Sequence, residues 1–167
     1  MKIHIIGGSG TGKSFIAEKI SKKYNVNHYD LDDIFWDNKS DAYGTKMPVE
    51  KRIQLLNDIL KNDNWVIEGV YYDWLSDSFK NADMIFILII PSLIFNKRII
   101  FRYFKRKLGI LKSNKKESLK SLKQLLIWTN NFNKNNLPNI KEILKPYDKK
   151  VVILKNTSKI FQYLNFH

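Results

Sequence analysis

The chain is predicted to adopt an α/β fold in which a mostly parallel sheet is covered by helices on both sides, and three observations predict it. Short apolar runs alternate with stretches of helical spacing from one end of the 167 residues to the other. One run, Met84 to Ile90, is apolar throughout, as a strand buried on both faces requires. The first run passes directly into glycines that open a helix.

Taken in order, Lys2 to Ile6 reads as a strand, and Phe15, Ile16, Ile20 and Tyr24 then recur at helical spacing. Val26 to Asp30 is a second strand, and Asp32 to Gly44 is polar and aromatic without a period. Pro48 can start a helix whose stripe is Ile53, Leu56, Ile59 and Leu60. Trp65 to Glu68 is a strand broken by Gly69, and Met84 to Ile90 is the next. A long basic helix is expected from Ser92 to about Leu108, a polar basic loop from Gly109 to Glu117, and a helix over Leu119 to Asn135. Val151 to Leu154 is the last strand, with Ile160, Phe161 and Leu164 closing the chain as a helix. No repeat or linker divides it, so a single domain over 1–167 is expected.

Composition narrows the chemistry. No cysteine is present, which excludes disulfides, thiolate metal sites and a cysteine nucleophile. The three histidines, His4, His28 and His167, are too scattered for a zinc hydrolase. No apolar stretch approaches the roughly 20 residues of a membrane span, and none near the start resembles a signal core, so a cytoplasmic location and no membrane partner are expected. The net charge of +13 would suit a polyanion, but the general abundance of Lys, Asn and Ile makes a lysine excess uninformative by itself.

The most specific signal is Gly7-Gly8-Ser9-Gly10-Thr11-Gly12-Lys13-Ser14, which has the full phosphate-loop spacing between a strand and a helix. Such a loop turns backbone amides inward around phosphate oxygens, and the helix it opens adds its unpaired amides and dipole. Lys13 is expected to reach the β and γ phosphates of ATP, and Ser14 to ligate Mg2+. Asn38-Lys39-Ser40-Asp41 imitates a guanine-reading motif but lies where a GTPase carries a switch loop, and is set aside.

In an open parallel sheet ligands sit beyond the carboxyl ends of the strands, so acids that close strands are the candidates. Asp30 and Asp32 close the second strand and Glu68 the third; one could hold a magnesium-bound water, with Asp32 assigned to the metal beside Ser14, and another could orient an acceptor hydroxyl. Lys97 to Lys123 holds eleven basic residues against the single acid Glu117, a net +10. Three of the four arginines, Arg98, Arg102 and Arg106, stand four apart and share a helix face, as a phosphate-clamping lid would need. Phe35, Trp36, Tyr71, Tyr72 and Trp74 follow the acids and could stack on an acceptor base.

The loop, Leu31-Asp32 with Phe35-Trp36, Trp65-Val66-Ile67-Glu68-Gly69 with Tyr71, and the arginine-bearing helix together resemble the DNA topology modulation (FlaR-like) proteins, a branch of the adenylate-kinase-like P-loop kinases. The resemblance implies a three-layer, five-stranded P-loop NTPase fold of the nucleoside-monophosphate-kinase type. It also implies an acceptor-binding region over about 32–62 and a lid over about 98–118. Val70 stands where that family usually has Asn. The expected function is therefore transfer of the γ-phosphate of ATP to a nucleotide or small hydroxyl or phosphate acceptor. Lys13, Asp32, Glu68, Arg98, Arg102 and Arg106 are the expected catalytic residues, and Gly7 to Ser14 the nucleotide site. The alternative is a nucleotide-dependent DNA-binding protein whose basic helix contacts the duplex.

Overall fold

The structure is a computed structural model and describes residues 1–37, 44–111 and 118–164. The Asn38–Asp41 motif and the later part of the basic loop lie outside them. Strands β1 (Lys2–Gly7), β2 (Asn27–Asp30), β3 (Trp65–Gly69), β4 (Met84–Leu88) and β5 (Val151–Leu154) form one all-parallel sheet in the order β2-β3-β1-β4-β5. The expected α/β architecture is present, with five strands and helices on both faces.

Each face has its own core. Helix α1 (Lys13–Tyr24) and α7 (Ile160–Leu164) cover one side, where Ile16, Ile20, Ile160 and Leu164 pack on Ile3, Ile5, Val66 and Phe86. On the other side α2 (Leu31–Phe35), α3 (Val49–Leu60), α4 (Ser76–Asn81) and α6 (Leu119–Leu144) place Leu31, Ile34, Leu56, Phe79, Phe132, Ile140 and Leu144 against Ile6, Ile67, Ile85 and Ile87. Between β4 and α6 runs α5 (Ser92–Lys107), which buries Phe95, Ile99 and Tyr103 and meets α6 where the Asn96 and Asn130 side chains hydrogen-bond.

Four boundaries differ from the sequence reading, for local reasons. Strand β2 starts at Asn27 because Asn25, left-handed at φ 52, ends α1 and sends the Val26 amide back to the Ser21 carbonyl at 3.1 Å. Asp32 does not close that strand; it lies in the first turn of α2, which Asp30 caps by accepting from the Asp32 amide. Helices α2 and α4 span five and six residues, too few to display a period. Helix α6 continues past Asn135 and through Pro138 because Ile140 and Leu144 anchor its last turns in the core. Among the described residues no helix is long and apolar enough to cross a membrane.

Candidate active site

The sheet register brings the candidate residues together. Gly7 ends the central strand, and on β1's flank Ile6 pairs with Gly69, while Asp30 pairs with Glu68 on the neighbouring strands. The segment Gly8 to Gly12 turns over this edge. Gly10 and Gly12 take φ of 76° and 94°, in the left-handed region glycine enters without strain, and Gly12 caps α1. A side chain at Gly10 would also meet α5, since a Cβ there lies 2.9 Å from Ile99 and 3.0 Å from the Phe95 carbonyl. Thr11 Oγ1 closes the turn by donating to the Gly8 carbonyl at 2.8 Å.

Lys13 folds back over this loop. Its buried Nζ donates to the Gly8 carbonyl at 3.4 Å and stands 3.7 Å from Glu68 Oε2. Glu68 is 1% exposed, and its other oxygen faces His28 Nε2 at 3.8 Å without a hydrogen-bond partner. Burial pushes the Glu68 carboxyl up, but the His28 imidazole, the Lys13 ammonium and the Ser14 hydroxyl outweigh it and hold the group below the ordinary carboxylate range. Asp30 behaves oppositely. Its own burial, then the charge of Glu68 beside it, push its carboxyl up to about 6.

Asp32, expected at the metal, accepts at its Oδ1 from the Tyr71 hydroxyl at 2.7 Å. That bond, after burial, keeps the phenol protonated well above its usual range. The Ser14 hydroxyl is among the groups that hold Glu68 ionised. Among the described residues no group of three His, Asp or Glu side chains is disposed to hold a metal unaided. Magnesium would need triphosphate oxygens as well as Ser14 and a carboxylate, which is how this small ion is commonly held.

The basic helix reaches the loop directly. Arg98 Nη1 donates to the Thr11 carbonyl at 3.1 Å and to Gly10 at 3.5 Å, and Arg102 Nη2 donates to Ser9 Oγ at 3.3 Å. Arg106 stands one turn further along. The aromatic residues pack on one another and on a guanidinium. Phe35 lies on Tyr71 with centroids 4.2 Å apart, and the Arg52 guanidinium sits 4.7 Å from the Phe35 ring and 5.5 Å from that of Trp74. Arg52 and His28 are the site residues that sequence reading missed. Arg52 is the single arginine outside the basic helix, and that isolation was the available signal. Its Nε is buried without a hydrogen-bond partner.

This arrangement can hold a polyanion over the loop, keep one carboxylate ionised within reach of it and present a second, hydrogen-bonded carboxylate to a neighbouring ligand. The same arrangement of layers occurs in shikimate kinases of known structure. The enzyme of Acinetobacter baumannii, in complex with shikimate, superposes with a TM-score of 0.60 at 16% identity, covering 97% of this chain and 91% of that one. The Aquifex aeolicus enzyme gives 0.51 at 19% identity over 99% and 96%. The fold is that of the P-loop kinases.

No family model matches the chain. In sequence, the chain is 31% identical over 105 residues to the uncharacterized protein YqaC of Bacillus subtilis, covering 62% of this chain and 57% of that protein. It is 32% identical over 123 residues to an adenylate kinase of Clostridium kluyveri, covering 58% and 57%. The chain thus spans little more than half the length of the curated relatives it matches.

Proposed function

We infer that the chain is an ATP-dependent phosphotransferase of the nucleotide-kinase type, which moves the terminal phosphoryl group onto a nucleotide or a small hydroxyl- or phosphate-bearing acceptor. The observation that carries this reading is the buried Lys13–Glu68 pair at the mouth of the glycine loop, with Glu68 Oε1 left without a partner. A buried ionised oxygen that faces the His28 Nε2 only at 3.8 Å is under-satisfied, and a ligand can complete it. A magnesium-bound water would do so, and the ion when present neutralises charge on the triphosphate.

Lys13 and the amides of Gly7 to Ser14 would hold the donor phosphates, with Ser14 and Glu68 as the nearest groups for the metal. The contacts favour Glu68 over Asp32 for that task. Asp32, oriented by Tyr71, is better placed to accept the proton of an acceptor hydroxyl, and Arg52 to neutralise an anionic group on the same acceptor. Arg98 and Arg102 stiffen the loop from outside and supply positive charge next to it, where charge moves during transfer. Relatives named adenylate kinase and neighbours named shikimate kinase support the reaction class. The FlaR-like likeness adds no substrate. A DNA-contacting role for the basic helix has weaker support, because two of its three arginines donate to the loop.

The reading is tested by incubating the chain with labelled ATP, Mg2+ and a panel of nucleoside monophosphates, nucleosides, shikimate and other small hydroxyl metabolites. One acceptor is expected to gain label at least about 100-fold faster than with Lys13→Ala. No labelled acceptor above that control overturns it.

A further inference from the structure

Helix α5 has a second face that the phosphate loop does not use. Opposite the buried Phe95, Ile99 and Tyr103, the side chains of Leu93, Phe101, Phe104 and Leu108 are 76, 62, 51 and 72% exposed. Together with Ile100 their spacing sets them in one stripe along the helix. A stripe of large apolar side chains this open on a folded surface marks an interaction site. The stripe is basic as well as apolar. Lys97 lies within it, Lys105 Nζ stands 4.6 Å from the Phe101 ring, and the sequence from Lys97 to Lys123 carries a net +10.

We propose that this face of α5 docks on the surface of an anionic lipid bilayer. The apolar stripe would sink into the boundary between headgroups and acyl chains while the lysines remain at the level of the lipid phosphates. Charge complementarity selects this occupant. A second copy of the chain would bring the same excess of positive charge against itself. A duplex would satisfy the lysines but leave Phe101, Phe104 and Leu108 in water. A lipid surface accepts both and needs no matching groove. The sequence gives no reason to expect a membrane partner because it lacks a spanning segment, and a helix lying in the interface requires none.

The test is sedimentation of the full chain with vesicles of phosphatidylcholine alone and of equal parts phosphatidylglycerol and phosphatidylcholine. Binding is expected to the anionic vesicles only. The Phe101→Ser/Phe104→Ser double variant is expected to reduce it at least about tenfold, and Lys97→Gln/Lys105→Gln to reduce it as well. Both variants should unfold at nearly the parent temperature, because Phe101, Phe104 and Lys97 are exposed and Lys105 is only half-buried. Should the phenylalanine variant fail to fold, Leu93→Ser/Leu108→Ser at the helix ends replaces it. The proposal is overturned if anionic vesicles do not sediment the chain, or if the apolar variants bind as tightly as the parent. It is also overturned if removing the phenylalanines instead dissolves a dimer formed without lipid, or if duplex DNA or an acidic polypeptide displaces the chain from vesicles at equal charge.

Discussion

Glu68 and Lys13 are 1% and 8% exposed, so their pairing is an interior electrostatic contact whose two members are not equivalent to mutation. Lys13→Ala leaves a buried carboxylate with only His28 and the Ser14 hydroxyl to offset it and is expected to lower unfolding free energy by on the order of 3 kcal/mol, in addition to its effect on transfer. Glu68→Gln keeps volume and removes the charge; denaturant midpoints should show it less destabilised than Lys13→Ala, while phosphotransfer falls at least about 100-fold. Two titratable groups, one buried and one half-buried, set opposing pH dependences. His4, fully buried against Phe79, is lowered to about 3 by burial, so the folded protein keeps it neutral. Its contribution is complete above its unfolded value of about 6.5 and is lost as the pH falls toward 3, at up to about 1.4 kcal/mol per pH unit. Asp30, pushed up to about 6, holds a proton that the unfolded chain releases, so its contribution declines as the pH rises from about 4 to 6. Urea midpoints across pH 4 to 6 should therefore rise less steeply in His4→Gln, and more steeply in Asp30→Asn, than in the parent.

At the scale of elements, the loop and the helix that backs it act together. Gly10→Ala forces a side chain into the left-handed region and onto the Phe95 carbonyl and Ile99. It is expected to cost about 2 kcal/mol or more and to weaken ATP binding. Gly109→Ala, also at positive φ but facing open space, should cost only about 1 kcal/mol and leave ATP binding unchanged, which thermal scans with and without ATP would distinguish. What the sequence made legible follows the same division. The phosphate loop and the strands were readable because their information is local: a fixed spacing of glycines, and apolar runs of strand length. Helices α2 and α4 were not, since five or six residues cannot show a period, and α2 depends on the Asp30 cap and on burying Leu31 and Ile34. The grouping of His28, Glu68 and Lys13 was not legible either. It arises from the β2–β3 register and the fold of the loop, neither of which any one segment encodes. Arg52 is placed by aromatics from two separate segments, Phe35 and Trp74, so its role depends on tertiary packing.

Across the whole molecule, the parallel order β2-β3-β1-β4-β5 aligns the carboxyl ends of the strands, so the glycine loop, Asp30 and Glu68 come to one edge while the two cores lie beneath. That edge is also where positive charge from α5 arrives through Arg98 and Arg102. Phosphotransfer at this edge requires that it receive a triphosphate between Lys13 and the loop amides. Thermal unfolding with increasing Mg·ATP tests it most directly. At about 100 times the dissociation constant, ligand binding adds about 2.7 kcal/mol, which for a chain of this size raises the midpoint by roughly 5 to 10 °C. The predicted result is that rise in the parent and its loss in Lys13→Ala; an unmoved midpoint in the parent at millimolar Mg·ATP, or an equal rise in both proteins, would contradict it.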